Sequence, residues 1–117
     1  WEIPAGKLDP EERELDCAKR ELEEECGVRA KTWTRLGMMR NAIGYSSEHI
    51  AVYLAENLEE GEQKLDPGEF LEVYRVPLSA AVAMARDGRI TDVKTIAAIF
   101  WLDKLLKERA ETEGKSR

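Results

Sequence analysis

Histidine occurs once and cysteine twice in this chain of 117 residues. His49 stands alone, and Cys17 and Cys26 do not form a CxxC pair, which argues against a structural zinc site. Two scattered thiols suit a reducing compartment, so a cytoplasmic protein is expected. No apolar run reaches membrane-spanning length, and no signal peptide is expected. Basic charge is also in deficit: 18 Lys and Arg face 24 Asp and Glu, for a net charge of -6. That balance argues against a nucleic-acid backbone or an anionic membrane as the main partner. It also means that an anionic substrate would need cations to bind.

What is present is a mixture of both charge signs, 36% of the chain, with 43% hydrophobic residues. This is enough for a modest core and fits a single domain over residues 1–117. The pattern predicts a short strand at residues 1–3 and a loop at 4–9. A helix follows over 10–26, with Asp9 as N-cap, Pro10 in the first turn, Glu12 completing a capping box and Gly27 as the stop. Gly6 is expected to use its freedom to take positive φ. One or two strands are predicted between Val28 and Asn41, and others at 49–58 and 70–78. Helices are predicted at 79–88, capped by Ser79, and at 91–110, with an apolar face of Val93, Ile96, Ala97, Phe100, Trp101 and Leu105. The last seven residues are expected to fray. Trp33, Trp101, Met38 and Met39 are expected in the core.

The helix at 10–26 holds the densest signal. Nine acidic residues lie between Asp9 and Glu25, with only Arg13, Lys19 and Arg20 among them. At 100° per residue, Leu15, Ala18, Leu22 and Cys26 form a narrow apolar stripe, and Glu14, Glu21 and Glu25 line one edge of it. Glu24 lies further round, beside Arg13 and Arg20. Glu21 and Glu25 are i and i+4, so their carboxylates are neighbours. A solvated acidic face and a divalent-cation site both fit this arrangement.

The spacing narrows the choice. Gly6, five residues, Glu12, seven residues, Arg20-Glu21-Leu22, one residue, Glu24-Glu25, one residue and Gly27-Val28 match all nine fixed positions of the Nudix box. With "WEIPAG", "IGYSSE", "GEFLEV" and "DGRITDVKT", the chain resembles the ADP-ribose pyrophosphatase branch of the Nudix hydrolases. The resemblance implies an α/β/α sandwich around a mixed sheet. It covers the C-terminal two-thirds of a typical family member, so the N-terminal strands of the family fold are expected to be absent. A sheet short of strands would expose an edge, from which a homo-oligomer, a dimer or higher, is expected, or else a preceding segment that completes the sheet.

The resemblance further implies a Mg²⁺ or Mn²⁺ site built from Glu21, Glu24, Glu25, Glu69 and the carbonyl of Ala5. Glu24, Glu25 and Glu69 would take part in catalysis, and Arg20 with Glu12 and Gly6 would give structural support. Gly44, Ser46 and Glu48 would contact substrate. Family members often carry an acid where Pro67 stands, so Asp66, Glu69 and Glu72 are all candidates for the general base, with Glu69 preferred. Glu11, Glu14, Asp16 and Glu23 are expected to be solvated. The implied reaction is hydrolysis of a nucleoside diphosphate sugar such as ADP-ribose to AMP and a sugar phosphate. Another nucleoside diphosphate derivative or triphosphate, or a non-catalytic nucleotide-binding module, are the alternatives.

Overall fold

The computed structural model describes residues 1–40 and 48–115. They gather into two compact units, residues 4–75 and residues 1–3 with 76 onward.

The first unit is a helix with a β-hairpin. Helix α1 runs Glu14–Cys26, strand β1 Val28–Arg40 and strand β2 His49–Glu60. The helix begins four residues later than expected. Glu11 sits at φ 64, in the left-handed region that a non-glycine residue adopts only where the chain forces it. Instead of a first helical turn, residues 9–12 form a separate turn. The Glu12 N–H donates to the Asp9 carbonyl at 3.0 Å, and the Asp9 N–H donates to Glu12 Oε1 at 3.0 Å. Arg13, not Asp9, is the N-cap, and no side chain caps the helix there. At the other end Gly27 takes φ 68 and closes the helix, as expected. The burial also differs from the narrow stripe: the buried residue of α1 is Cys17.

β1 and β2 pair antiparallel from Val28↔Glu60 to Arg40↔His49, with a register shift between Arg35 and Gly37. Trp33 and Tyr53 meet edge to face at 6.4 Å, an arrangement that aromatic pairs favour. Successive strand residues point to opposite faces, so Met38 and Met39 part company, and Met38 is exposed rather than in the core. The strand expected at 70–78 does not form. Among the described residues the sheet has two antiparallel strands, and residues 69–77 run in irregular conformation with no ladder to join. A strand exists only where a neighbour accepts its backbone hydrogen bonds.

The second unit packs helix α2, Leu78–Asp87, on helix α3, Val93–Lys115. Met84, Ile90 and Ile99 form its core, with Leu78, Ala81 and Ile96 against them. Pro77 rather than Ser79 is the N-cap of α2, and Gly88 closes it at φ 89. The buried face of α3 runs through Thr95, Ala98 and Ile99, whereas Val93 and Phe100 are exposed. Asp92 supplies the cap that starts α3: its carboxylate accepts from the Thr95 N–H at 3.1 Å and from the Thr95 hydroxyl at 2.6 Å. The Ile3 N–H donates to that same hydroxyl at 3.1 Å, which ties the start of the chain into this unit. α3 continues through most of the tail that was expected to fray.

Candidate active site

The acidic residues of the first unit divide into three sets. The first is a brace. Arg20 Nε and Nη2 donate to the two carboxylate oxygens of Glu12, each at 2.9 Å. This forked geometry is the strongest pairing a guanidinium offers. It holds the Glu12 carboxyl down at about 2, chiefly through that hydrogen bond and then through the Asp9 N–H. Arg20 Nη2 also donates to the Lys7 carbonyl at 3.1 Å, so one side chain fixes both the turn before the helix and the loop before the turn.

The second set lies next to the brace. Arg20 Nη1 donates to Glu21 Oε1 at 2.9 Å and to Glu24 Oε2 at 3.3 Å. Glu25 turns away from the arginine, and its Oε2 accepts from the Ala5 N–H at 3.1 Å. Burial pushes the Glu25 carboxyl up to about 6, and the nearby Glu21 and Glu69 carboxylates push in the same direction. Ala5 therefore meets Glu25 through its N–H. Gly6 is needed for space rather than for positive φ. A Cβ built there would lie 2.1 Å from the Glu21 carboxylate, and Gly6 is not in the left-handed region. The Cys17 thiol, pushed up by burial, lies 3.8 Å from the Gly6 carbonyl on the inner side of this loop.

The third set consists of acids that the sequence reading left in solvent. Glu23 pairs with Arg29 and, at 3.4 Å, with Lys64. Glu14 points at the sheet, with Arg35 Nη2 3.8 Å away and His49 Nε2 3.6 Å away. Their periodicity on the helix could not reveal partners supplied by β1, β2 and the following loop.

That loop carries Glu69. Residues 66–69 form a turn with Pro67 at its second position and Gly68 at φ 89 at its third; the Glu69 N–H donates to the Asp66 carbonyl at 3.0 Å. The Glu69 carboxylate folds back on the turn and accepts from the Asp66 N–H at 2.9 Å. Glu72 accepts from the Tyr74 hydroxyl, outside the turn. The structure thus brings Ala5, Gly6, Glu12, Arg20, Glu21, Glu24, Glu25 and Glu69 to one end of the first unit. Gly44 and Ser46 lie outside the described residues, and Glu48 is exposed just before β2. Sequence reasoning missed the loop that joins Glu69 to the helix. Residues 61–64 run against the C-terminal end of α1, where Gly61 and Lys64 donate their N–H groups to the carbonyls of Gly27 and Glu24 at 2.6 and 2.8 Å.

An acidic helix held by an internal arginine, entered through a glycine loop and set against an antiparallel hairpin, defines the class of loop–helix–loop carboxylate sites. A NUDIX domain family model matches residues 1–99. The chain belongs to the Nudix family, and its α/β fold is Nudix-like. It is 40% identical over 114 residues to an ADP-ribose pyrophosphatase of Bacillus subtilis (strain 168), covering 96% of this chain and 60% of that protein. It is 36% identical over 98 residues to a GDP-mannose pyrophosphatase of Yersinia enterocolitica serotype O:8 / biotype 1B (strain NCTC 13174 / 8081), covering 81% and 51%. A crystal structure of an ADP compounds hydrolase matches with a TM-score of 0.77 at 28% identity, covering 87% of this chain and 55% of that one. The chain thus spans between 51% and 60% of the lengths of these relatives. No helix among the described residues is long and apolar enough to cross a membrane.

Proposed function

We propose that residues 1–117 form one Nudix domain that hydrolyses the pyrophosphate bond of ADP-ribose or a related nucleoside diphosphate sugar, giving AMP and a sugar phosphate. The observation that carries this reading is the Glu25 carboxyl, half-buried beside Glu21 and Glu69 and pushed up to about 6 by burial first and then by these neighbours. Such a group holds negative charge that a cation would relieve. Its donors are hard oxygens, the set that Mg²⁺ or Mn²⁺ prefers. Among the described residues no three acidic, histidine or cysteine side chains are already gathered as a metal site.

Glu21, Glu24 and Glu25 would hold the ion, with Glu69 and the Ala5 carbonyl at its margin. When bound, it supplies charge neutralisation of the pyrophosphate and acidification of a water. The protein's own part is to set the acceptors. Arg20 fixes Glu21 and Glu24 from one side, the Ala5 N–H fixes Glu25 from the other, and Gly6 leaves room for the Glu21 carboxylate. Glu69, on its turn, is the preferred general base. Gly44, Ser46 and Glu48 would meet the substrate, and Glu12, Arg20 and Gly6 support the frame. A cytoplasmic location agrees with the two free thiols. Self-association would cover the apolar residues of 70–75. The GDP-mannose pyrophosphatase relative favours a second reading, in which the nucleoside is guanosine.

The test is turnover of a panel of nucleoside diphosphate sugars with Mg²⁺ or Mn²⁺, with Glu25→Gln as the control. Release of AMP from ADP-ribose, reduced about a hundredfold or more by Glu25→Gln, is the expected result. Preferential release of GMP from GDP-mannose would favour the second reading. Failure of the folded chain to turn over any member of the panel would overturn both.

A further inference from the structure

The last carbonyls of a helix have no partner within it and must find donors elsewhere. At the end of α1 those donors come from one loop. Gly61 and Lys64 use their backbone N–H groups, and between them Gln63 uses its side chain. Gln63 Nε2 donates to the Glu25 carbonyl at 2.7 Å and to the Leu71 carbonyl at 3.2 Å. A carboxamide nitrogen has two N–H donors, so this nitrogen is fully used. One of its acceptors belongs to the residue whose carboxylate faces Glu21. The other lies two residues beyond Glu69. Between Gln63 and Leu71 lies the turn of residues 66–69, closed by its own hydrogen bonds. Gly27 makes the close approach of this loop possible: a Cβ on it would lie 2.7 Å from the backbone nitrogen of Gln63.

We propose that Gln63 is a positioning residue for the hydrolytic site: by bridging the Glu25 and Leu71 carbonyls it holds the turn that carries Glu69 against the carboxylate end of α1. This rests on the Nudix hydrolase reading above and adds the group that places its loop acid. The bridge closes both ends of the turn, so without it Glu69 would sample positions away from Glu25. A loss of this kind lowers turnover rather than ground-state binding, because Gln63 itself does not reach the substrate.

The experiment compares the full chain with Gln63→Met, which keeps the length and removes both donors, and with Gln63→Lys, whose ammonium can donate to the same carbonyls. On the best nucleoside diphosphate sugar of the panel, Gln63→Met is expected to lower kcat about tenfold to a hundredfold with KM changed less than about twofold. Gln63→Lys is expected to recover most of kcat. Amide hydrogen exchange at Lys64 and Glu69 is expected to accelerate about tenfold in Gln63→Met, with exchange in the middle of α1 unchanged. An unchanged kcat, or a rise in KM alone, would overturn the proposal. If the unaltered chain turns over nothing, the hydrolase reading fails instead. The exchange measurement then decides whether Gln63 holds the turn: accelerated exchange at both amides supports the tether, and unchanged exchange overturns it.

Discussion

Gly6, Glu12 and Glu25 show how single residues divide support from chemistry. At Gly6 the obstacle to a side chain is the far end of the Glu21 side chain, which can move. Gly6→Ala is therefore expected to change stability by less than about 1 kcal/mol, since the loss of chain entropy in the unfolded state offsets the crowding. It should still displace the Glu21 carboxylate and lower turnover at fixed divalent-cation concentration. Urea unfolding and a metal titration of activity read the two effects separately. Glu12 acts differently. Its folded pKa of about 2 lies below the ordinary carboxyl value of 4.5, so its ionised form is favoured by folding. That contribution is fully present above 4.5 and is lost as pH falls towards about 2. Glu12→Gln should flatten the stability profile across that window, as read by urea midpoints. Glu25 works in the opposite sense: its pKa of about 6 means that ionisation disfavours the metal-free fold as pH rises through that value. The sequence made Glu21 and Glu25 legible as neighbours because one helix period links them. It could not reveal the role of Gly6, which depends on a contact between a loop and a side chain fifteen positions away.

Elements were legible where local chemistry decided them. Gly27 and Gly88 end α1 and α2 as expected, because only a left-handed residue closes a helix that way. The start of α1 was not legible, since the Arg20–Glu12 brace overrides the local preference for Asp9 and Pro10 to begin a helix. The strand expected at 70–78 fails for a related reason: alternation marks a segment that could enter a sheet, and pairing needs a neighbour. Gly27 also shows a second constraint that its helix-stopping role hides. A Cβ there would meet backbone atoms of residues 62 and 63 at 2.8 and 2.7 Å, and φ 68 adds conformational strain. Backbone cannot yield as the Glu21 side chain can. Gly27→Ala is thus expected to cost about 2 kcal/mol or more, against almost nothing for Gly6→Ala. Comparing the two urea midpoints checks this ordering, and equal costs would contradict it.

At the scale of the whole molecule, the family and the carboxylate end of α1 were written in the spacing of nine residues, whereas the surface was not. Phe70 is 92% exposed, and Leu71, Val73 and Tyr74 follow it at 45%, 50% and 61%. Apolar residues on both faces of an extended segment are the mark of a strand covered on both sides. Left open, such a segment offers both apolar area and backbone groups to another chain. The net charge of -6 opposes the approach of two copies, and salt screens that repulsion while leaving apolar burial intact. Self-association should therefore strengthen as salt rises, the reverse of what a charge-driven contact would do. Light scattering over a concentration series at low and high salt reads this directly. Phe70→Glu, which removes the most exposed ring and adds a charge, should shift association to higher protein concentration at both salts. A scattering mass that stays at one chain throughout, or association that salt dissolves, would show that this segment is not the contact.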